Sequence, residues 1–489
     1  MTTRPIRFHH RGRLVELDDC PPTRTVLEWL REDVHCTGTK EGCAEGDCGA
    51  CTVVLGELDG DGGMALKPVN ACIQFVPTLD GKALYTVEDL KRGDTLHPVQ
   101  QAMVDCHGSQ CGFCTPGFVM SLWACYERHH AAGTQPSRQQ LADDVSGNLC
   151  RCTGYRPILD AGQRMFDADT VPLARAPVVA ALQALRADPP LQLGTAYAAP
   201  RTLQEFAALR AARPQAQILA GSTDMGLWMT KQFRELPELI YIGAVKELQR
   251  VQVVDGALHI GAAASLESAW QALVTHWPAL RDLWLRFASW PVRATGTMGG
   301  NVANGSPIGD SAPVLMALDA SVVLRRGDQV RQLPLADFYT GYMRNRLEPG
   351  EFVQALTVPL PRAAERVRAY KISKRFDCDI SAVCTGLAIE LDGDVVREVR
   401  LAFGGMAATV QRAAAAEAAV RGQPWNESTA QAAMAALAHD FTPLSDARAS
   451  APYRLQVAQN LIKRFWLETR RDSPLAEGQL NVWAREAAA

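Results

Sequence analysis

Apolar and polar residues alternate through residues 4–17, on both sides of the tripeptide His10-Arg11-Gly12. This period of two predicts a β-hairpin that turns at the glycine. Residues 25–31 have the apolar spacing of a helix, and Thr25 is a suitable N-cap. Thr52–Leu55 is a short apolar run that predicts a further strand. The first part of the chain is therefore expected to contain a hairpin, a helix and a strand, in that order.

From about residue 94 the apolar spacing becomes helical, and residues 97–104 and 117–123 predict two helices. Residues 161–193 show little sustained pattern and contain four prolines, so we predict a linker there, although 178–187 could form a helix. Between residues 195 and 354 the chain consists of many short apolar runs separated by glycine. This change of pattern indicates a second kind of domain after the linker.

Eight of the fourteen cysteines fall into two sets of four. The first set follows the pattern C-x4-C-x2-C-x20-C, which is the plant-type ferredoxin spacing for a [2Fe–2S] cluster. The second set reads C-x2-C-x35-C-x-C and lies in the helical region. The predicted ligands are Cys43, Cys48, Cys51 and Cys72 for the first cluster, and Cys111, Cys114, Cys150 and Cys152 for the second.

Disulfides and structural zinc are the alternatives for these cysteines. Disulfides suit short secreted chains, and residues 1–17 contain no apolar segment typical of a signal peptide. Zinc favours C-x2-C pairs, and the second set offers only one. Four of the six residues between the first three cysteines are glycine or alanine, which lets backbone amides approach cluster sulfides. Two iron–sulfur clusters, and hence electron transfer, are the favoured interpretation. The remaining six cysteines are expected to be small buried thiols, and His129-His130 a solvated helix end.

Two glycine-rich segments, 218–226 and 295–310, combine glycine with hydroxyl side chains. The first reads as a strand, a turn and a helix start. Such loops expose successive backbone amides, which can hold a pyrophosphate without lysine or arginine. The alternative is that both are simply tight turns, since glycine motifs often occur without a ligand. Neither segment is G-x-G-x-x-G, so a Rossmann site is not indicated.

Composition narrows the class of protein. The chain has 489 residues, which predicts three or four domains. It is 47% hydrophobic and 21% charged, with a net charge of −3. Nothing here favours a nucleic-acid or membrane partner, and no apolar run reaches the length of a transmembrane helix. With so many cysteines and no secretion signal, we expect a cytoplasmic protein.

Both cysteine patterns, the AGSTD turn at 220–224, the TMGGNVANGSPIGD loop at 297–310 and the segment Tyr370–Arg375 together resemble the small subunits of bacterial xanthine dehydrogenases, in the molybdenum hydroxylase family. The resemblance covers about Ile6 to Trp466. It implies a multidomain α+β fold with a plant-type [2Fe–2S] β-grasp ferredoxin-like domain (1–90), a helical-bundle [2Fe–2S] domain (91–162), a linker (163–194), an α+β FAD domain of the vanillyl-alcohol-oxidase type (195–369) and a C-terminal α+β flavoprotein subdomain (370–489).

The resemblance also assigns FAD contacts. The first glycine-rich segment would wrap the pyrophosphate, and the second would lie near the ribityl chain and diphosphate. One aromatic residue would pack against the flavin or nicotinamide, two residues would line the ring, and a lysine would add a polar contact. The implied residues are Ile218, Leu219, Ala220, Gly221, Ser222, Thr223, Asp224, Met225, Thr297, Gly300, Asn301, Asp310, Phe287, Phe352, Val353 and Lys371. For Phe287, a purely structural core position is an equal alternative.

The function implied is that of an oxidoreductase subunit in purine catabolism, converting hypoxanthine and xanthine to urate. Electrons from a molybdopterin site would pass through two [2Fe–2S] clusters to FAD and then NAD. No catalytic side chain is needed in this chain. Because the sequence ends at residue 489, we expect the molybdenum cofactor on a separate large subunit, in an α2β2 assembly. There are two alternatives. The chain could have the same role in a sister hydroxylase for aldehydes, nicotinate or another purine, or it could be a free-standing NADH diaphorase.

Overall fold

The computed structural model describes residues 3–60 and 62–480. Residues 1–2 of the predicted ferredoxin-like domain and residues 481–489 of the predicted C-terminal subdomain lie outside the described residues. Two compact units are distinguished. Unit 1 contains the described residues up to Gln249 together with Ser265–Ser268 and Ala288–Thr297. Unit 2 contains Arg250–Ala264, Ala269–Phe287 and the described residues from Met298. Each unit is described separately.

Unit 1 begins with a five-stranded mixed sheet in the order β2-β1-β5-β3-β4. The predicted hairpin forms β1 and β2, and the predicted strand is β3, so both predictions are confirmed. The predicted helix also forms: Thr25 and Glu28 make a capping box, which satisfies free amides at its start. A π-helical turn, Trp29–Asp33, continues it. The elements are β1 Ile6–His10, β2 Arg13–Leu17, α1 Val26–Glu28, β3 Thr52–Leu58, β4 Met64–Asn70 and β5 Ala83–Tyr85.

Four helices follow, and both predicted helices are among them. The longest, α3, follows directly after its N-cap residue Cys114 and ends at Gly133, whose φ of 63° reverses the chain. Phe118, Trp123 and Ile158 are fully or almost fully buried between these helices. The bounds are α2 Pro98–Asp105, α3 Thr115–Ala132, α4 Arg138–Asp144 and α5 Arg156–Arg164.

The predicted linker contains helix α6, which confirms the helical alternative for that segment. Val178, Leu182 and Leu185 lie on its buried face. A small sheet in the order β6-β7-β9-β8 follows, with its last three strands parallel. Strand β8 leads into the AGSTD turn and then α8, as the sequence predicts. The bounds are α6 Arg175–Arg186, β6 Gln192–Leu193, β7 Tyr197–Ala198, α7 Leu203–Ala212, β8 Gln217–Leu219, α8 Met225–Thr230 and β9 Leu239–Tyr241.

Unit 2 contains an antiparallel sheet in the order β10-β11-β16-β12-β13 and a short hairpin, β14-β15. The bounds in this part of the chain are β10 Val251–Val254, β11 Ala257–Gly261, α9 Leu266–His276, α10 Arg281–Arg286, α11 Trp290–Thr295, α12 Met298–Asn304, α13 Ser311–Ala317, β12 Ser321–Arg326, β13 Gln329–Pro334, β14 Tyr339–Gly341, β15 Arg344–Asn345 and β16 Phe352–Pro359. Helix α11 belongs to unit 1, and α9 begins in it.

The C-terminal part of unit 2 is a four-stranded antiparallel sheet followed by helices. Strand β18 is buried along most of its length, and Ile462 and Phe465 of α16 belong to the same apolar core. The bounds are β17 Glu365–Ile372, β18 Val383–Asp392, β19 Val395–Gly404, β20 Gln411–Arg412, α14 Ala414–Val420, α15 Glu427–Asp440, α16 Ala451–Thr469 and α17 Glu477–Leu480. Across residues 3–60 and 62–480, every helix is too short or too polar to span a bilayer.

Candidate redox sites

The four cysteines of the first set come together in the loop before β3 and at the end of β4. The Sγ atoms of Cys51 and Cys72 lie 3.3 Å apart, and both residues are buried. The amide of Cys48 donates to Cys43 Sγ over 3.4 Å. Hydrogen bonds from the Cys48 and Cys72 side chains hold the pKa of Cys43 far below its usual range, which favours a thiolate there. All four predicted ligands therefore converge.

The second set converges between the start of α3 and the loop that joins α4 to α5. Cys152 Sγ lies 3.7 Å from Cys111 Sγ, and both residues are exposed. Cys114, at the start of α3, is hydrogen-bonded to Cys150 through their side chains. Burial raises the pKa of the Cys114 thiol to about 12.

The sulfur spacing fits iron–sulfur clusters. Two thiolates on one tetrahedral metal, at bonds of about 2.3 Å, lie roughly 3.8 Å apart. The distances of 3.3 and 3.7 Å are close to this value. Each set supplies four thiolates in two close pairs, which is what a cluster of two irons requires.

The two cysteine loops contact each other directly. The amide of Leu149 donates to the carbonyl of Cys48 over 3.0 Å. Asn148 Nδ2 donates to the carbonyl of Gly49, also over 3.0 Å. A Cβ at Gly49, whose φ is 69°, would lie 2.2 Å from the carbonyl oxygen of Gly147. Only glycine permits this approach of the two backbones. Ligands of the two sets are thus separated by one peptide contact.

The first flavin loop also lies in unit 1. A Cβ at Gly221 would lie 1.9 Å from the carbonyl oxygen of Thr295, so a side chain cannot be accommodated there. Ser222 has a φ of 62°, and its buried Oγ has no hydrogen-bond partner among the described residues. A buried hydroxyl of this kind in a strand–turn–helix loop fits a bound phosphate. At the end of α8, Thr230 Oγ1 donates to the carbonyl of Ala44 over 2.6 Å, next to Cys43.

The second flavin loop, from Met298 onward, lies in unit 2. Tyr339 Oη donates to the carbonyl of Val302 over 3.0 Å and Asn345 Nδ2 to that of Ala303 over 2.8 Å, so the hairpin β14-β15 holds α12 in place. The buried Oδ1 of Asn301 has no hydrogen-bond partner among the described residues. A buried acceptor without a partner could accept a hydrogen bond from a bound cofactor.

Asp310 and Lys371 form a buried ion pair. Lys371 Nζ lies 2.6 Å from Asp310 Oδ2, and the residues are 3% and 5% exposed respectively. Ser381 Oγ donates to Asp310 Oδ1 over 2.6 Å and receives a hydrogen bond from Lys371 Nζ over 2.8 Å. The structure therefore gives Lys371 protein partners, whereas the resemblance gives it a contact with the flavin.

The three residues expected to flank the flavin ring are all buried. The ring centroids of Phe287 and Trp270 lie 6.0 Å apart. Phe352 and Val353 begin β16 and pair with β12. Such positions suit core packing as well as a ring contact, so their flavin role stays a prediction, as do the positions of Thr297 and Gly300.

Two predictions about the other cysteines and histidines are wrong in part, for Cys20 and Cys106 and for His129. Cys20 and Cys106 are partly exposed, whereas Cys36, Cys125, Cys378 and Cys384 are buried as expected. His129 is 9% exposed, because it faces inward from α3, so it is not a solvated helix end.

Sequence reasoning missed several residues that position the sites. Leu149, Asn148 and Thr230 connect the loops, and Ser381 completes the Asp310 group. Asn148 and Leu149 could have been noticed because they precede Cys150. No local sequence signal marks Thr230 or Ser381.

Four family models match successive parts of the chain. They are a 2Fe-2S iron–sulfur cluster binding domain at 8–76, a [2Fe-2S] binding domain at 86–163, an FAD binding domain in molybdopterin dehydrogenase at 191–361, and a CO dehydrogenase flavoprotein C-terminal domain at 368–469. The chain thus contains two [2Fe–2S] domains and an FAD-binding domain, and the predicted multidomain α+β fold is confirmed.

Curated relatives include xanthine dehydrogenases from Emericella nidulans, 32% identical over 94% of this chain, and from Drosophila subobscura, 33% identical over 94%. The chain spans 38% and 39% of their lengths.

Among solved structures, a carbon monoxide dehydrogenase from Hydrogenophaga pseudoflava, lacking the Mo-pyranopterin moiety of its molybdenum cofactor, is 27% identical with a TM-score of 0.53. The match covers 56% of this chain and 96% of that one. Quinoline 2-oxidoreductase from Pseudomonas putida 86, at 24% identity and a TM-score of 0.52, shares the fold over 58% of this chain and 99% of that one. The domains, their order and these relatives fit the small iron–sulfur and FAD subunit of the molybdenum hydroxylase family.

Proposed function

We propose that this chain is the electron-transfer subunit of a xanthine dehydrogenase. Two electrons taken from the purine at a molybdenum site in a partner subunit pass singly through the second cluster and then the plant-type cluster to FAD. They leave as a hydride on NAD+. The names of the curated relatives support this substrate.

The contacts within unit 1 carry the proposal. The loop holding Cys150 touches the loop holding Cys48, through Leu149. The loop holding Cys43 touches α8, which directly follows the first flavin loop, through Ala44 and Thr230. These two hydrogen bonds support one linear order of carriers, with the plant-type cluster in the middle.

The chain's own residues position the carriers, while the clusters and flavin supply the redox chemistry. Gly49 keeps the two cluster loops close, and the amide of Cys48 donates to a ligand sulfur, which helps set the reduction potential. Ser222 and Asn301 offer buried polar atoms to FAD. Asp310 and Lys371 act, in this proposal, by holding the second flavin loop.

A molybdenum subunit is the proposed partner. Cys111 and Cys152 are exposed, and Phe113 and Tyr155 beside them are 47% and 38% exposed. Apolar rings around an exposed redox site suit a covered interface. A permanent complex of this kind would bury more than about 2,000 Å². We further propose an α2β2 assembly.

Isolation of the protein from its native source, without overexpression, tests the proposal. We expect a large molybdenum-containing subunit to co-purify, with about four irons and one FAD per copy of this chain. Xanthine and hypoxanthine should reduce NAD+ in preference to aldehydes, nicotinate and other purines. A preference for one of these other substrates would identify a sister hydroxylase. NADH–dye activity without molybdenum would identify a diaphorase and refute the partner.

A further inference from the structure

Helices α3 and α4 bring three metal-ligating side chains together, apart from both cysteine sets. Cys125 and His129 are four residues apart on α3 and therefore share one face. Asp144 is the last residue of α4. One ligand atom from each of the three residues lies within 4.8 Å of the other two. All three residues belong to unit 1, and the proposed electron path uses none of them.

The imidazole of His129 is directed by its neighbours. Its Nδ1 is hydrogen-bonded to Thr134 Oγ1 over 2.8 Å. Its Nε2 is buried and has no hydrogen-bond partner among the described residues. Cys125 is fully buried, and the Asp144 side chain is 12% exposed. Buried polar atoms are normally partnered, so a free ring nitrogen beside a thiol and a carboxylate calls for a ligand.

The neighbours of this group match the surroundings of protein metal sites. A metal-bound histidine usually uses its second ring nitrogen in a hydrogen bond, and ligating carboxylates are hydrogen-bonded in turn. Thr134 supplies the first of these bonds. Arg128 Nη2 supplies the second, 2.5 Å from Asp144 Oδ2, while its guanidinium lies 4.6 Å from the centre of the Trp290 ring. The carboxylate is thus held in place on its outer side.

We propose that Cys125, His129 and Asp144 bind a divalent zinc ion, giving the chain a third metal site. A thiolate, an imidazole and a carboxylate form a donor set that zinc accepts, and the two negative ligands balance its charge. Bonds of about 2.0–2.3 Å require ligand atoms roughly 3.3–3.8 Å apart, so a contraction of about 1.5 Å at most closes the group. Water completes the tetrahedron. The ion joins α3, which follows Cys114, to α4, which precedes the Cys150 loop.

Metal analysis and zinc K-edge X-ray absorption of the iron-loaded protein test this site. The protein is incubated with one equivalent of Zn²⁺ and freed of unbound metal by gel filtration. We expect one zinc per chain beside about four irons. Its absorption spectrum should show one sulfur neighbour at about 2.3 Å and nitrogen or oxygen neighbours at about 2.0–2.2 Å.

Cys125→Ala should lose the zinc and keep the iron. In His129→Gln, the X-ray absorption spectrum should no longer show zinc coordinated by both sulfur and an imidazole nitrogen. Cys36→Ala is the matched control, because Cys36 is also a buried thiol of unit 1, and it should retain the zinc. Absence of zinc from the wild type, zinc with only nitrogen and oxygen neighbours, or equal zinc in Cys125→Ala would overturn the proposal. If Cys125→Ala does not fold, the wild-type spectrum still tests the site, because the proposed site gives zinc a single sulfur neighbour. Zinc bound at the cluster cysteines would have several sulfur neighbours, and the iron content would fall.

Discussion

The backbone amide of Leu149 donates a hydrogen bond to the carbonyl oxygen of Cys48 across 3.0 Å. Cys48 is a predicted ligand of the first cluster. Leu149 directly precedes Cys150, a predicted ligand of the second. A peptide-to-peptide contact at this point keeps the two cysteine sets next to each other without any long side chain. In the proposed electron path, transfer between the two clusters therefore depends on how closely these two loops pack.

Gly49→Ala tests that packing. The added Cβ would lie 2.2 Å from the carbonyl oxygen of Gly147, and φ is 69°, so both clash and backbone strain are introduced. We expect a loss of stability of about 1–3 kcal/mol and a weaker magnetic interaction between the reduced clusters in EPR.

Gly12→Ala is the control for strain alone, since Gly12 has a φ of 71° with nothing within 4 Å of the added Cβ. It should cost less stability and leave the EPR interaction unchanged. Equal EPR spectra for Gly49→Ala and wild type would show that the contact does not set the cluster spacing.

Asp310→Ala should destabilise unit 2, because it leaves the Lys371 ammonium buried without its partner. Loss of one member of a buried pair typically costs about 3–5 kcal/mol. We expect a lower melting temperature, and loss of FAD measured by the flavin absorbance that remains after gel filtration, with both cluster signals retained.

Asp394→Ala is the matched control, because the ion pair of Asp394 with Arg471 is largely exposed, and exposed pairs contribute less than about 1 kcal/mol. The double variant Asp310→Asn/Lys371→Met, which removes both charges, should recover part of the lost stability. A wild-type melting temperature and full FAD in Asp310→Ala would contradict the role given to this pair.

We expect His97 to make the stability of the helical cluster domain sensitive to acid. Its Nδ1 accepts a hydrogen bond from the amide of Val99 over 3.3 Å and so caps α2. Burial lowers the pKa of His97 from 6.5 to about 4. The unfolded chain therefore binds a proton at a higher pH than the folded one, and stability falls as pH drops from about 6.5 to about 4.

Melting temperatures between pH 7.5 and 4 check this expectation. In His97→Asn the side chain can still cap the helix but does not titrate, so the decline over this window should be shallower than in the wild type. An identical decline in the two proteins would contradict this expectation, because it would mean that His97 has the same pKa in the folded and the unfolded chain.

The convergence of each cysteine set was predictable from the sequence because the spacing of the cysteines follows a recognisable pattern. Both sets converge as predicted: Cys114 is the N-cap residue of α3, and Cys150 lies in the loop between α4 and α5. The Lys371–Asp310 pair was not predictable, since the two residues are 61 positions apart and meet only in the folded unit. His129 was misjudged for a similar reason: it lies near Asp144 and Phe166, which reach it only in the folded unit.

The pair of activities of Cys150→Ser tests the order of the electron path most directly. Losing one thiolate of the second cluster should collapse xanthine-dependent reduction of NAD+ by the complex. NADH-to-dye activity should survive in the same preparation, with a dye that takes electrons from flavin, because the FAD-binding domain at 191–361 lies elsewhere in the chain. Asn301→Ala should instead bind less FAD. It should lose both activities and keep the EPR signals of both clusters. Unimpaired xanthine oxidation in Cys150→Ser, or loss of NADH-to-dye activity while its FAD remains bound, would contradict the proposed path.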